Sequence, residues 1–191
     1  GEDQGAALAE RYALVFPEDY QAATDPATAA IDVGHLEALV TGAGSRIDVT
    51  NPSGRTDAYT ALKLYLREPL VLSDIMPVLE HLGLRVFAED AVTLPALGDA
   101  PAHLQTFLVQ DGEGARLDVT RHAERLVATI LAVRQGTVES DGLNRLVVGA
   151  ALSWQQVQIL RTYTAYAFQI GAAPSRRAAG EALTRHPTQA A

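Results

Sequence analysis

The segment from Arg67 to Asp74 has the residue types that most favour binding of a small ligand. It follows a predicted strand and leads into a predicted helix, whose first-turn backbone N–H groups can bind a carboxylate. Arg67 adds positive charge, and the hydroxyl of Ser73 is predicted to cap the helix. Two features argue against an anion: Asp74 repels it, and no glycine lets the backbone approach a ligand closely. Arg67, Ser73 and Asp74 are therefore the candidate ligand-binding residues.

A second stretch, Thr41–Ser45 (TGAGS), has the glycines of a nucleotide-binding loop. A dinucleotide-binding loop follows a strand and opens a helix. Here a predicted helix comes before the glycines and a predicted strand, 46–50, comes after them. We interpret the stretch as the end of a helix.

The other polar residues lack the spacing typical of catalytic or metal sites. No two histidines show H-x-x-x-H or similar ligand spacing, and no serine lies in a nucleophile-elbow pattern. The five histidines are His35, His81, His103, His122 and His186. We predict that His81 is a surface residue and that Ser140 caps a helix. Lys63, the only lysine, is predicted to lie on the solvated face of a strand.

The stretch from Ser153 to Gly171 predicts a helix. Ser153 and Gln156 have the spacing of a capping box. The residues predicted to face inward are Val157, Leu160, Thr164, Ala167 and Ile170. Trp154, Tyr163 and Tyr166 lie on the same helix, where they either stack on a cofactor or pack in a core or interface. The large area that aromatic side chains bury favours packing.

The elements that position these residues are clearest in 62–90, LKLYLREPLVLSDIMPVLEHLGLRVFAED. Leucines at 62, 64 and 66 alternate with polar or amphipathic residues, as in a half-buried strand. Ile75, Leu79 and Leu82 form an apolar stripe at helical spacing. Gly83 suits the left-handed conformation just after a helix, and a strand begins at Arg85.

The whole chain reads as α+β. Further strands are predicted over 46–50, 86–94 and 103–110, with a proline- and glycine-containing linker before the last, and a helix follows Asp118. The order β-α-β-β-α is typical of a ferredoxin-like sandwich lacking one strand, which Arg46–Thr50 could supply. The predicted boundaries are a helical lead-in at 1–44, the sandwich at 45–136, a helical segment at 137–172 and a weakly helical tail at 173–191.

Composition limits the classes of function. The chain has 191 residues, a net charge of -8 and no cysteine. It has no disulfide framework and no thiolate zinc site. An acidic chain without a basic stripe is a poor candidate for nucleic acid, and no apolar run approaches the ~20 residues that cross a membrane. We expect a cytoplasmic protein. Because the chain begins Gly-Glu-Asp rather than with Met, we expect an excised internal fragment or a cleaved tag.

Three blocks of sequence carry a resemblance to a known family. They are REPL, LSD and LGLRV within 62–90; FPEDYQAATDPATAAIDVGHLEAL at 16–39; and ESDGLNRLVVGAALSWQQVQILRTYTAYAFQ at 139–169. In order and spacing they resemble the N-terminal region of the large bacterial NAD-specific glutamate dehydrogenases, which contains ACT-like segments. The resemblance implies that the sandwich at 45–136 is ACT-like. It also implies that an amino-acid effector binds near Arg67, Ser73 and Asp74, since ACT domains bind effectors at this junction.

The resemblance also implies the role of the chain. The parent enzyme deaminates glutamate to 2-oxoglutarate and ammonium with NAD, and its catalytic residues lie outside this chain. We expect this segment to bind no cofactor itself and to act in regulation and oligomerisation. Its expected partners are other domains of the parent chain and neighbouring subunits of a homo-oligomer, with a tetramer implied. The alternative is a free-standing ACT-like sensor of amino acids.

Overall fold

The computed structural model of the chain describes residues 8, 10–42, 44–97 and 100–187. The α-helices are α1 (Glu18–Ala23), α2 (Pro26–Val40), α3 (Leu72–His81), α4 (Val119–Arg134), α5 (Leu146–Gly149), α6 (Trp154–Gln169) and α7 (Arg176–Arg185). The strands are β1 (Arg46–Thr50), β2 (Thr60–Leu66), β3 (Arg85–Leu97) and β4 (Ala100–Gln110). Short 3-10 helices cover Gly54–Thr56 and Gly142–Arg145. The chain is therefore mixed α+β.

The four strands form one antiparallel sheet in the order β1-β2-β4-β3. Arg46–Thr50, which the sequence offers as the missing strand, forms β1 and pairs with β2. The predicted linker after β3 was too long, because Pro95 and Pro101 lie inside β3 and β4. β3 is an edge strand, and an edge tolerates a proline because one side of its backbone has no partner strand. The glycine of that linker, at 98, lies outside the described residues.

Several helices begin at a residue whose side chain caps the first turn. The side chain of Asp25 accepts hydrogen bonds from the N–H groups of Ala27 and Thr28, both at 3.0 Å. Asp118 caps α4, and Ser153 with Gln156 forms the predicted capping box of α6. These caps satisfy N–H groups that the first helical turn leaves without partners.

The region before α6 differs from the prediction. Within the helical segment at 137–172 the sequence predicts one helix over 141–152, but the structure has the 3-10 helix Gly142–Arg145 followed by the short α5. Ser140 does not cap it; the N-cap is Asp141, whose carboxylate accepts from the Leu143 N–H at 3.0 Å. The Ser140 hydroxyl instead lies 2.9 Å from His81 Nδ1.

The described residues divide into two units. One unit comprises Gly1–Ile47, Lys63–Leu70 and Glu89–Phe107. Its apolar core joins an aromatic series from the N-terminal segment to residues of α2, β3 and β4. The core residues are Tyr12, Phe16, Tyr20, Leu36, Leu39, Tyr65, Leu94, Leu97, Ala102 and Leu104. Phe16 and Tyr20 stack with ring centroids 4.2 Å apart.

The second unit comprises Asp48–Leu62, Val71–Ala88 and Leu108–Ala191. The stripe predicted on α3 is confirmed, since Ile75, Leu79 and Leu82 are buried. Gly83 takes the predicted left-handed conformation, with a φ of 80°. α7 packs against α6 and against the 3-10 helix Gly142–Arg145. The C-terminal helices therefore share one core with α3 and α4.

Candidate functional site

Arg67, the cationic member of the predicted ligand site, is held by backbone carbonyls. Its Nη1 donates to the carbonyl oxygens of Leu97 at 2.9 Å, Ala100 at 3.1 Å and Pro101 at 3.3 Å. Its Nη2 lies 3.5 Å from the carbonyl oxygen of Leu39. Within the described part of the chain no carboxylate pairs with it. The guanidinium therefore holds together the ends of β3 and β4.

Ser73 and Asp74 lie in the first turn of α3. The helix begins at Leu72 with Val71 as N-cap, so the prediction that Ser73 caps it was wrong. The Ser73 hydroxyl is 3.5 Å from Asp74 Oδ1, and both side chains are exposed. The N–H of Asp74 already donates to the carbonyl oxygen of Val71 at 3.0 Å, which leaves it less available to a ligand. The effector role of these residues with Arg67 stays a prediction.

Sequence reasoning missed a buried polar centre around Asp32 of α2. Only 1% of Asp32 is exposed. Lys63 Nζ donates to its two carboxylate oxygens at 3.0 and 2.8 Å, and the Tyr65 hydroxyl donates to Oδ1 at 2.6 Å. The Tyr20 hydroxyl donates to Oδ2. These four residues, called the Asp32 centre below, join α1, α2 and β2.

The prediction that Lys63 faces solvent was therefore wrong. β2 is buried on both faces. Leu62 and Leu64 are buried on one face, and Tyr65 is buried on the other face, which also carries Lys63. The prediction that this strand is buried on only one face was also wrong. A usable signal existed in α2, where Asp32 shares a stripe with Leu36 and Leu39 at i, i+4 and i+7. A carboxylate on a buried stripe needs a charged partner, and Lys63 is the only lysine.

The Asp32 centre has the residue types of acid–base catalysis but not the access. Burial, followed by the hydrogen bond to Asp32, raises the pKa of Tyr20, so its hydroxyl keeps its proton and donates. Asp32 and Tyr65 are at most 1% exposed, which leaves no surface for a substrate. The centre is therefore a structural connection between helices and sheet.

A second polar cluster surrounds Arg161 of α6. Its Nε and Nη2 donate to the two carboxylate oxygens of Asp141, each at 2.8 Å, and Nη2 also donates to the Asn144 side chain at 2.8 Å. Burial acts to raise the pKa of Asp141, but the Arg161 hydrogen bonds and charge outweigh it and lower the pKa. A cavity of about 750 Å³ adjoins the cluster, with Arg176 and Glu181 in its wall.

Another cavity of the second unit, about 820 Å³, is lined by charges of both signs. Its wall includes Arg85, Arg145, Glu80, Asp111 and His122. His122 Nδ1 is buried and has no hydrogen-bond partner among the described residues. Burial, followed by the charge of neighbouring arginines, lowers the pKa of His122 and favours the neutral ring. The position is polar and has room for a small ligand.

One face of α6 is apolar and exposed. Ile159, Tyr163, Tyr166 and Ile170 are 57%, 64%, 57% and 60% exposed. Their spacing of i, i+4, i+7 and i+11 places them on one side of the helix. We call these four residues the α6 stripe. Ile170 was predicted to face inward, and that prediction was wrong; Val157 and Thr164 are buried as predicted.

Two further features limit the chemistry of the described residues. They contain no group of three or more His, Asp or Glu side chains arranged to hold a metal ion. None of their helices combines the length and apolar character required to cross a membrane.

Comparison with protein families gives three matches, all within glutamate dehydrogenase. Residues 1–39 match helical motif 2, residues 44–122 match the ACT3 domain and residues 138–191 match helical motif 3. Together the matches leave out only residues 40–43 and 123–137.

Curated relatives agree with the family matches. NAD-specific glutamate dehydrogenase of Pseudomonas aeruginosa is 32% identical over 171 residues, 89% of this chain. Those of Halomonas elongata and Mycobacterium tuberculosis are 29% and 28% identical over 98% and 96% of the chain. The chain spans only 11–12% of the length of these relatives. It belongs to the glutamate dehydrogenase family, of which it holds the ACT3 domain and helical motifs 2 and 3.

Proposed function

We propose that the chain is a non-catalytic regulatory and oligomerisation segment of a large NAD-dependent glutamate dehydrogenase. The parent reaction is the oxidative deamination of glutamate to 2-oxoglutarate and ammonium. The observation that carries this proposal is the exposed α6 stripe. Exposed apolar residues that line up on one helix face favour contact with another protein surface. A segment that spans about an eighth of its relatives has other polypeptide available for this contact.

The fold supports the ACT-like part of the proposal. In a ferredoxin-like βαββαβ sandwich the last strand lies at the edge beside the first. Here β1 lies at the edge beside β2, and the order β2-α3-β3-β4-α4 follows. We propose that β1 supplies the missing strand of an ACT-like sandwich at 45–136. The helical parts at 1–44, 137–172 and 173–191 then flank it, in line with the family matches.

The remaining parts of the proposal come from the relatives. They are NAD-specific, so NAD would bind to the parent outside this segment. The parent would be a cytoplasmic homo-oligomer, for which we propose a tetramer. The partners of the segment would be other domains of its own chain and neighbouring subunits. No residue of this chain is assigned a catalytic role.

The proposal is tested by immunoprecipitation from cell extract with an antibody raised to this chain. We expect a band many times larger than 20.3 kDa and NAD-dependent oxidation of glutamate in the precipitate. Deletion of the segment from the parent should alter both subunit assembly and kinetics. A band near 20 kDa, or a deletion that changes neither property, would contradict the proposal.

The second candidate function is a free-standing sensor of amino acids. It is favoured by the cavity of about 820 Å³, whose charges of both signs match a zwitterion. The buried His122 Nδ1 in its wall has no partner within the part of the chain that the structure describes. Thermal-shift measurements with amino acids and nucleotides separate the two functions, since a ligand at 100 times its Kd stabilises the folded state by about 2.7 kcal/mol. A shift together with a 20 kDa band would favour the sensor.

A further inference from the structure

We propose that the α6 stripe is the contact between two copies of this chain, which pair through antiparallel α6 helices about a twofold axis. The inference rests on the proposed assembly function and names its partner. It is carried by the arrangement of the four exposed side chains, by the uncharged residues beside them on α6 and by the area that they present.

The residue types and spacing of the α6 stripe are the same from either end of the helix. From Ile159 the spacing to Tyr163, Tyr166 and Ile170 is four, three and four residues, and the residue types run Ile, Tyr, Tyr, Ile. When two such helices lie antiparallel, Ile159 of one copy faces Ile170 of the other, and Tyr163 faces Tyr166. A twofold interface requires this reciprocity, in which residue i contacts j and j contacts i.

The spacing also suits packing between helices. Alternation of three- and four-residue intervals gives an average period of 3.5, the seam along which two helices pack side by side. The seam runs through three turns of α6 to its C-cap, Ile170. At its centre four tyrosine rings would meet, in offset or edge-to-face contacts, with their hydroxyls at the wet rim.

The lack of charged side chains beside the stripe on α6 favours direct contact with a second copy of the chain. Along α6 the exposed neighbours of the stripe are uncharged, among them Gln155, Gln156 and Thr162. The only charged residue of α6 is Arg161, which is bound to Asp141. Two copies with a net charge of -8 each repel one another. An uncharged face lets them associate without placing like charges together, and depletion of charge with enrichment of tyrosine is typical of interface centres.

The area suits a weak dimer. Four side chains that are about 60% exposed present roughly 500 Å² per copy, or on the order of 1,000 Å² for the pair. That lies at the lower limit for a specific interface. We therefore expect a dissociation constant on the order of 1–100 μM for this chain alone.

Cysteine crosslinking tests the antiparallel geometry, because the chain has no cysteine of its own. Ile159→Cys and Ile170→Cys are made as separate variants. In the antiparallel pair two copies of residue 159 are ~16 Å apart along the helix, at 1.5 Å per residue, too far for a disulfide. We expect mild oxidant to give covalent dimer only when the two variants are mixed, at least tenfold above either variant alone.

The exposed α4 variant Glu124→Cys, mixed with Ile170→Cys, is the collision control and should give no more dimer than either variant alone. Crosslinking of Ile159→Cys to itself would indicate a parallel pair and overturn the proposal. Crosslinking in no variant would overturn it as well.

Sedimentation equilibrium tests the stripe itself. Tyr163→Glu/Tyr166→Glu should weaken dimerisation at least tenfold, whereas Tyr163→Phe/Tyr166→Phe should leave it within about twofold. Because both positions are exposed, the thermal unfolding of both variants should match the wild type. A wild-type chain that remains monomeric at about 500 μM would overturn the proposal.

The same glutamate variant in the intact parent separates this inference from the proposed function. If the variant disrupts assembly of the parent while the wild-type chain alone is monomeric, another part of the parent covers the stripe. The pairing of copies would then be wrong and the assembly function would stand. Unchanged assembly and glutamate oxidation in the parent would overturn both.

Discussion

Tyr20 and Tyr163 are the same residue type in opposite surroundings. Tyr20 is buried and donates its hydroxyl to Asp32, beside the ammonium of Lys63. Tyr163 is 64% exposed on an apolar helix face. One unit therefore places charges inside, and the other places apolar side chains outside. The first arrangement stabilises a fold, because both carboxylate oxygens of Asp32 accept hydrogen bonds. The second leaves a surface for another protein.

The largest effect is expected at the Asp32 centre. Asp32→Ala removes a buried carboxylate from the part-buried ammonium of Lys63 and from two tyrosine hydroxyls, so we expect a loss of about 3–5 kcal/mol in the free energy of unfolding. Urea denaturation measures it. The double variant Asp32→Ala/Lys63→Met should recover part of the loss, because the unpaired cation is gone. A loss below about 1 kcal/mol for Asp32→Ala would mean that the centre does not hold the unit together.

A matched pair of tyrosine variants tests the contrast directly. Tyr20→Phe removes one donor to a buried carboxylate and should cost about 1–3 kcal/mol. Tyr163→Phe removes the same atom from an exposed ring and should change the free energy of unfolding by less than about 0.5 kcal/mol. Equal losses for the two variants, measured in parallel urea titrations, would remove the distinction between the regions.

His122 is a buried polar group of the opposite kind, because its Nδ1 has no hydrogen-bond partner in the described ranges of the chain. Burial and the charges of Arg121 and Arg125 lower its pKa, while Asp118 and Asp111 act to raise it. The unfolded chain then takes up a proton near pH 6.5 and the folded chain only at lower pH. Its contribution to stability is full above pH 6.5 and is lost as the pH falls towards the folded pKa.

We therefore expect His122→Leu to raise the free energy of unfolding, because it removes the unpaired Nδ1, and to raise it more at pH 5 than at pH 8. Urea denaturation at the two pH values measures the difference. A gain that is the same at both pH values would show that His122 is not the group that titrates. A loss of stability at pH 8 would show that Nδ1 has a partner in solution.

A smaller effect than at the Asp32 centre is expected in α7. A Cβ at Gly180 would lie 3.5 Å from Leu143 Cδ2, an ordinary contact. Gly180→Ala should therefore gain up to about 1 kcal/mol from helix propensity. Gly83→Ala is the matched opposite: φ is 80° and the new Cβ would lie 3.0 Å from Arg145 Cγ, so it should destabilise. Thermal unfolding of the two variants checks the signs.

Local signals predicted most of the fold. The strand at 46–50, the strand with leucines at 62, 64 and 66, the helix after Asp118, the capping box at Ser153 and the left-handed Gly83 were all predicted, because each depends on a few neighbouring residues. The end of β3 beyond Pro95 was not predicted. A strand can contain a proline when it lies at the edge of a sheet, and the sequence does not show which strand lies there.

The polar centre and the exposed stripe depend on contacts that neighbouring residues do not reveal. Lys63 alternates with leucines and was predicted to face solvent, but Asp32, 31 residues away, covers it. Ile170 lies six residues after the buried Thr164, about 120° around the helix, so it points away from the buried side. The periodicity of a sequence shows which residues share a face of a helix or strand. Which face is buried depends on the element that packs against it.

The central claim, that the α6 stripe is covered in the assembled parent, is tested most directly by hydroxyl-radical footprinting of Tyr163 and Tyr166. Their labelling rates are compared between the dilute chain and the intact parent enzyme, with an unstructured tyrosine peptide as the dose standard. We predict that labelling of both residues falls at least tenfold in the parent, as expected for rings buried at an interface centre. Equal labelling in the chain and in the parent would contradict the account.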